Sequence, residues 1–148
     1  MDNQSEELEI LNAKGGLLFQ DEKYEESLEC MRKILSIDDQ YEMAWINKGN
    51  IYCKLEQYEI ALKCFDKVLD EFDTDNECAL LGKSIALSCL GRKEEGMECI
   101  DYILEELDED NLEALELKLI QLELGDTQEE SDECEAIIDR IEDIKKMS

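Results

Sequence analysis

Residues 11–35 (LNAKGGLLFQDEKYEESLECMRKIL) lie over residues 45–69 (WINKGNIYCKLEQYEIALKCFDKVL) without a gap. Lys14, Gly15, Tyr24, Leu28, Cys30, Lys33 and Leu35 recur as Lys48, Gly49, Tyr58, Leu62, Cys64, Lys67 and Leu69. A third copy, over 80–104, comes one residue later than a strict 34-residue step would place it, with Lys83, Cys99, Ile103 and Leu104 holding the register. A fourth opens at Ala114, which follows Ala44 and Ala79 at equal steps of 35, and its second half drifts, with extra residues around Asp126 to Asp132. A period of this length means stacked supersecondary units, none of which can bury its apolar face alone. The repeats are expected at about 8–40, 42–74, 77–109 and 112–146 of a single domain, 1–148.

Each copy holds two helical patterns. Tyr58, Ala61, Leu62, Phe65, Val68, Leu69 and Phe72 fall on one face of a helix, and Ala44, Trp45, Lys48, Gly49, Tyr52 and Leu55 form a second pattern before it. Only Glu56-Gln57 separates them, so the two helices pack as antiparallel neighbours. Helices are therefore expected over 5–20, 22–37, 40–55, 58–72, 76–90, 92–107, 110–124 and 129–146. The chain has no Pro, and nothing in it marks a flexible linker or a strand-and-turn architecture. Capping-box spacing occurs three times between copies, at Asp39 with Glu42, Thr74 with Glu77 and Asp110 with Glu113.

These residues resemble the tetratricopeptide repeat family, whose helix-turn-helix unit is about 34 residues long. Trp45, Gly49, Tyr52, Tyr58, Ala61, Phe65 and Val68 stand where that family places its large and small packing residues. The first copy keeps Gly15, Tyr24 and Ile34 but has Leu11 for the Trp and Ser27 for the Ala, and the third has Ser84 and Gly96 at its two small positions. The family's repeat-ending Pro is Asp here, at Asp39, Asp73 and Asp108. The resemblance implies an all-α fold, a right-handed superhelical solenoid of eight helices with a concave and a convex surface. In the last helix Ile137, Ile138, Ile141 and Ile144 form a narrow stripe amid acids, which reads as a solvating cap closing a complete unit.

The same resemblance places peptide binding on the concave surface, along the first helix of each unit. Helical geometry then selects Asn12, Gly16 and Phe19 in the first copy, Met43, Ile46, Asn47, Asn50, Cys53 and Lys54 in the second, and Leu81, Ile85, Ser88 and Cys89 in the third. Gly82 falls on the same strip. This is an apolar groove with amide anchors, able to donate to and accept from a peptide backbone. One subclass of the family clamps the carboxylate of chaperone tails with Lys, Arg and Asn. The matching positions here are Asn12, Gly16, Asn47, Cys78 and Gly82, so the basic clamp is missing and chaperone-tail binding is disfavoured.

Composition narrows the function further. There is no His, which removes the usual general base near neutral pH and the commonest metal ligand, so a non-enzyme without cofactor or metal is expected. Cys30, Cys64 and Cys99 hold equivalent positions and read as core thiols, and none of the seven cysteines has CxxC spacing. A net charge of -26 repels a phosphate backbone, so nucleic acid is excluded as a partner. The acidic amino terminus is unlike a signal peptide and no apolar run spans a membrane, which points to the reducing cytoplasm. The expected function is a protein-interaction scaffold or adaptor that binds a protein or peptide, basic in character, through the groove or the acidic surface around Glu105, Glu106 and Glu109. The alternative is a self-assembling module that forms homo-oligomers through its repeat ends.

Overall fold

The computed structural model describes residues 3–123 and 128–148. Every element among them is helical: α1 Asn3–Gln20, α2 Tyr24–Ile37, α3 Glu42–Lys54, α4 Tyr58–Glu71, α5 Glu77–Cys89, α6 Lys93–Tyr102, α7 Leu112–Leu122 and α8 Gln128–Met147. A π-helical turn, Ile103–Leu107, prolongs α6. With the π turn counted as the end of α6, helix ends differ from the sequence expectation by no more than two residues. Part of the drift expected at 126–132 lies outside the described residues. The chain divides into two compact units, Met1–Gly82 and Lys83–Ser148.

The turns inside the first three repeats share one geometry. Glu22, Glu56 and Gly91 each have a positive φ, of 59°, 59° and 76°. Around them the N–H groups of Lys23, Gln57 and Arg92 donate to the carbonyls of Leu18, Tyr52 and Leu87 at 2.8, 2.8 and 2.9 Å, the closure of a Schellman motif. The left-handed residue stops the first helix of each pair and reverses the chain within two residues.

Between repeats the capping differs from the expected boxes. The carboxylates of Asp38, Asp73 and Asp108 accept from the backbone N–H two residues on, at 2.9, 3.0 and 3.0 Å. The caps are Asn76 and Asn111, whose Oδ1 atoms accept from the N–H groups of Ala79 and Ala114 at 2.9 Å. Tyr41, at the start of α3, gives no side-chain cap, and Asp110 binds Arg140 instead. Asp39, Thr74 and Asp110 are thus too early in the turn to cap, and in the second and third turns the Asn that follows takes the N-cap place.

The uneven period has a structural cause. Ile34, Val68 and Ile103 are equivalent and fully buried. The Ile34 carbonyl accepts from Asp38, four residues on, whereas Val68 and Ile103 accept from Asp73 and Asp108, five residues on, at 2.9 and 2.7 Å. The one extra residue is absorbed as a wide last turn, so the buried face keeps its register.

In the first unit the small residues set how closely helices pack. Ser27 donates its Oγ hydrogen to the Gly15 carbonyl at 2.7 Å, tying α2 to α1. A Cβ at Gly49 would lie 2.6 Å from Phe65 Cε1, and one at Gly82 would also collide with that ring. Two glycines thus seat Phe65, whose complete burial contributes about 1.5–3 kcal/mol. Trp45 sits nearer the surface than its family role implies: it is half-buried, its Nε1–H donates to the Asp39 carbonyl at 3.0 Å, and the Lys48 and Lys67 ammonium groups each lie 5.0 Å from its ring centroid.

In the second unit, a Cβ at Gly96 would lie 2.9 Å from the Ser84 carbonyl, the same close approach of a helix pair. Leu115 and Leu122 of α7 pack with Ile137 and Ile141 of α8, so α8 buries only a narrow stripe. Lys118 bridges Asp101 of α6 at 2.9 Å and Glu133 of α8 at 2.8 Å. Burial works to lower its pKa, but the two carboxylates together outweigh that and raise it.

Candidate functional site

A cleft of about 310 Å³, including its open mouth, lies between α1, α2 and α3 of the first unit. Its lining is Gly15, Gly16, Phe19, Ser27, Met31, Asn47, Asn50 and Ile51. None of these side chains is charged. A Cβ at Gly16 would meet nothing within 4 Å, so this residue opens into free space, whereas its neighbour Gly15 faces Met31 and Cys30. Phe19 packs edge-on against Tyr24, with ring centroids 5.5 Å apart, which fixes the aromatic wall.

Four residues selected from the sequence come together here: Gly16, Phe19, Asn47 and Asn50. Asn12 joins them through its Oδ1, which accepts from Asn47 Nδ2 at 3.1 Å. That bond orients both amides and leaves each with capacity for a further hydrogen bond. Met43 and Lys54 are exposed and Cys53 is half-buried on the same helix, α3. Ile46 and Leu81 are different: they are only 3% and 6% exposed and belong to the core. Each stands beside a position that faces a neighbouring helix, and helical spacing alone does not separate a groove residue from one buried at its edge. Gly82, expected on the groove strip, is buried beneath Phe65 for the reason given above. Ile85 and Ser88 are half-buried and Cys89 is exposed in the second unit, where Ser88 Oγ accepts from Gln121 Nε2 at 3.0 Å.

Sequence reasoning missed Ser27, Met31 and Ile51 as cleft walls. The signal was present: Ser27 and Met31 are one turn apart on α2, and Ile51 lies seven residues after Ala44, on the face each copy turns to its predecessor. Cys30 and Cys64 are buried and Cys99 is half-buried, and burial raises the Cys64 thiol pKa against the opposing charge of Lys48.

Tetratricopeptide repeat models match residues 8–41 and 43–74. Among solved structures, MamA residues 41 to the end from Desulfovibrio magneticus RS-1 is similar, with 18% identity, 94% of this chain and 74% of that chain covered, and a TM-score of 0.70. The first TPR domain of Spaghetti (RPAP3), bound to the HSP90 peptide SRMEEVD, matches at 21% identity over 91% of this chain and 93% of that one, with a TM-score of 0.69. The Arabidopsis OM64 TPR domain matches at 16% identity over 83% of this chain and all of that one, with a TM-score of 0.75. A comparison with curated proteins returned no match.

Proposed function

Because the chain belongs to the tetratricopeptide repeat family, we propose that it is a non-enzymatic scaffold whose first two repeats hold an extended segment of another protein in the cleft between α1 and α3. The observation that carries this reading is the lining: an open floor at Gly16, apolar walls at Phe19 and Ile51, and the amides of Asn47 and Asn50 on one strip, one turn apart. Such a surface gives an extended backbone both donors and acceptors and gives one of its side chains an apolar seat. The RPAP3 domains are bound to peptides that end in EEVD. An acidic tail of that kind finds no cation on this lining and a chain of net charge -26 around it, which favours a neutral or basic segment instead. Among the described residues no helix is long and apolar enough to cross a membrane, and seven free thiols suit the cytoplasm we propose as its location.

A display library of random seven-residue peptides tests the cleft. Peptides enriched on the wild-type protein should lose most of their affinity for Gly16→Leu, which fills the cleft without striking the fold. They should lose about 0.5–1.5 kcal/mol with Asn50→Ala and keep full affinity when Glu105, Glu106 and Glu109 are changed to Gln. Enriched peptides that bind Gly16→Leu as well as wild type, or that depend on the three glutamates, would remove the cleft reading. Ile46→Asp is not a usable probe, since it would place a charge in the core.

A further inference from the structure

Little holds α8 to the second unit. Among its described residues only Ile137 and Ile141 are buried, whereas the shorter α4 buries six. The two isoleucines rest on Leu115 and Leu122 of α7, with Met97, Leu104, Leu112 and Leu119 packed around them. Net charge works against the contact. Residues 93–122, on which α8 lies, hold eleven acids and two bases, and α8 brings eight acids and three bases. Beyond contact distance the two repel. At contact the charges are arranged otherwise: Arg140 meets Glu109 at 3.4 Å and also Asp110, and Lys145 meets Glu116 at 3.2 Å. Helical geometry puts these two bases on either side of the buried stripe, and Glu135, Asp139, Glu142 and Asp143 on the exposed far side. The face under α8 is therefore apolar with an acidic border.

We propose that this face docks a basic amphipathic helix of another protein, and that α8 is the displaceable occupant that covers it. The pattern such a helix needs is written in α8: apolar residues at i, i+4 and i+7, as Ile137, Ile141 and Ile144, with bases at i+3 and i+8, as Arg140 and Lys145. A helix that keeps this pattern and lacks the far-side acids makes the same contacts without the repulsion. Being part of the chain, α8 has a high effective concentration at the face, so the site stays closed until such a helix arrives. The peptide cleft lies in the first unit and takes an extended segment, so this is a second and different site.

Hydrogen exchange of the full chain at physiological salt, read by mass spectrometry, tests the displacement. Amides of α8 should exchange at least about tenfold faster than those of α4. The probe is a synthetic peptide of residues 128–148 carrying Glu135→Lys, Asp139→Lys, Glu142→Lys and Asp143→Lys. Added in excess, it should speed α8 exchange further and leave α4 unchanged. A scrambled peptide of the same composition controls for charge alone and should leave α8 as it was, as should the probe with Ile141→Asp, which sets a charge into the apolar seat. Equal exchange of α8 and α4, a probe that leaves α8 protected, or a scrambled peptide that acts like the probe would each overturn the proposal. None of these outcomes bears on the cleft, whose seven-residue peptides are too short to form a stable helix.

Discussion

Gly15 and Gly16 are adjacent in one helix and sit in opposite surroundings. A Cβ at Gly15 collides with Met31 Cε and crowds Cys30, in the place where α1 and α2 approach closely enough for Ser27 to bond the Gly15 carbonyl. A Cβ at Gly16 meets open space. Gly16→Ala should therefore stabilise the protein by about 1 kcal/mol through helix propensity alone, while Gly15→Ala should destabilise it by about 1–3 kcal/mol through overpacking. Urea denaturation of the two single variants checks this, and equal shifts of the same sign would show that the cleft floor is packed after all. The repeat made Gly15 legible, because it recurs as Gly49. Helical geometry put Gly16 on the groove strip, but the open space beside it depends on which neighbours are missing, and that the sequence did not mark. Side-chain chemistry likewise hides the left-handed backbone of Glu22 and Glu56, which only their equivalent Gly91 betrays.

Helix positions were legible from the sequence to within two residues because an apolar face recurring every three to four residues is a signal spread over a dozen positions. Caps and turns rest on single atoms, and there the reading slipped by one or two residues. Three Asp-rich turns offered several carboxylates each; the first Asp of each turn bonds the backbone two residues on, and in the second and third turns the cap falls to the Asn that follows. Asn111→Ala should accordingly cost about 1 kcal/mol, whereas Thr74→Ala should change stability by less than about 0.5 kcal/mol. Thermal melts of these two variants distinguish the assignments, and a larger loss at Thr74 would restore the capping-box reading. The extra residue in the second and third copies was visible only as a change of period from 34 to 35; where it is absorbed, in the last turn of α4 and in the π turn after α6, follows from keeping Val68 and Ile103 buried.

At the scale of the whole molecule the charge dominates. Lys and Arg number 15 against 41 for Asp and Glu, so even with every base paired to one acid, 26 carboxylates would keep no cation of their own. The ion pairs that form are mostly exposed, as between Arg32 and Glu29 or Lys146 and Glu142, and such pairs contribute about 0–1 kcal/mol each. Lys118 is better placed, with its side chain only 18% exposed and its ammonium between Asp101 and Glu133, and it offsets part of the repulsion among α6, α7 and α8. Added salt screens both effects. It weakens attractions at contact less than it weakens the many longer-range repulsions, because the screening length of about 8 Å at physiological ionic strength exceeds an ion-pair distance but not the spacing of most like charges. Melting temperature should therefore rise as sodium chloride goes from about 10 mM to physiological strength and then level off. Lys118→Met should melt lower and show a steeper rise, since it removes an internal cation and leaves two carboxylates facing one another across three helices. Differential scanning calorimetry of both proteins over that range measures the two slopes. A wild-type melting temperature that stays flat or falls would mean that local pairs, and not net repulsion, set the electrostatic balance of the fold.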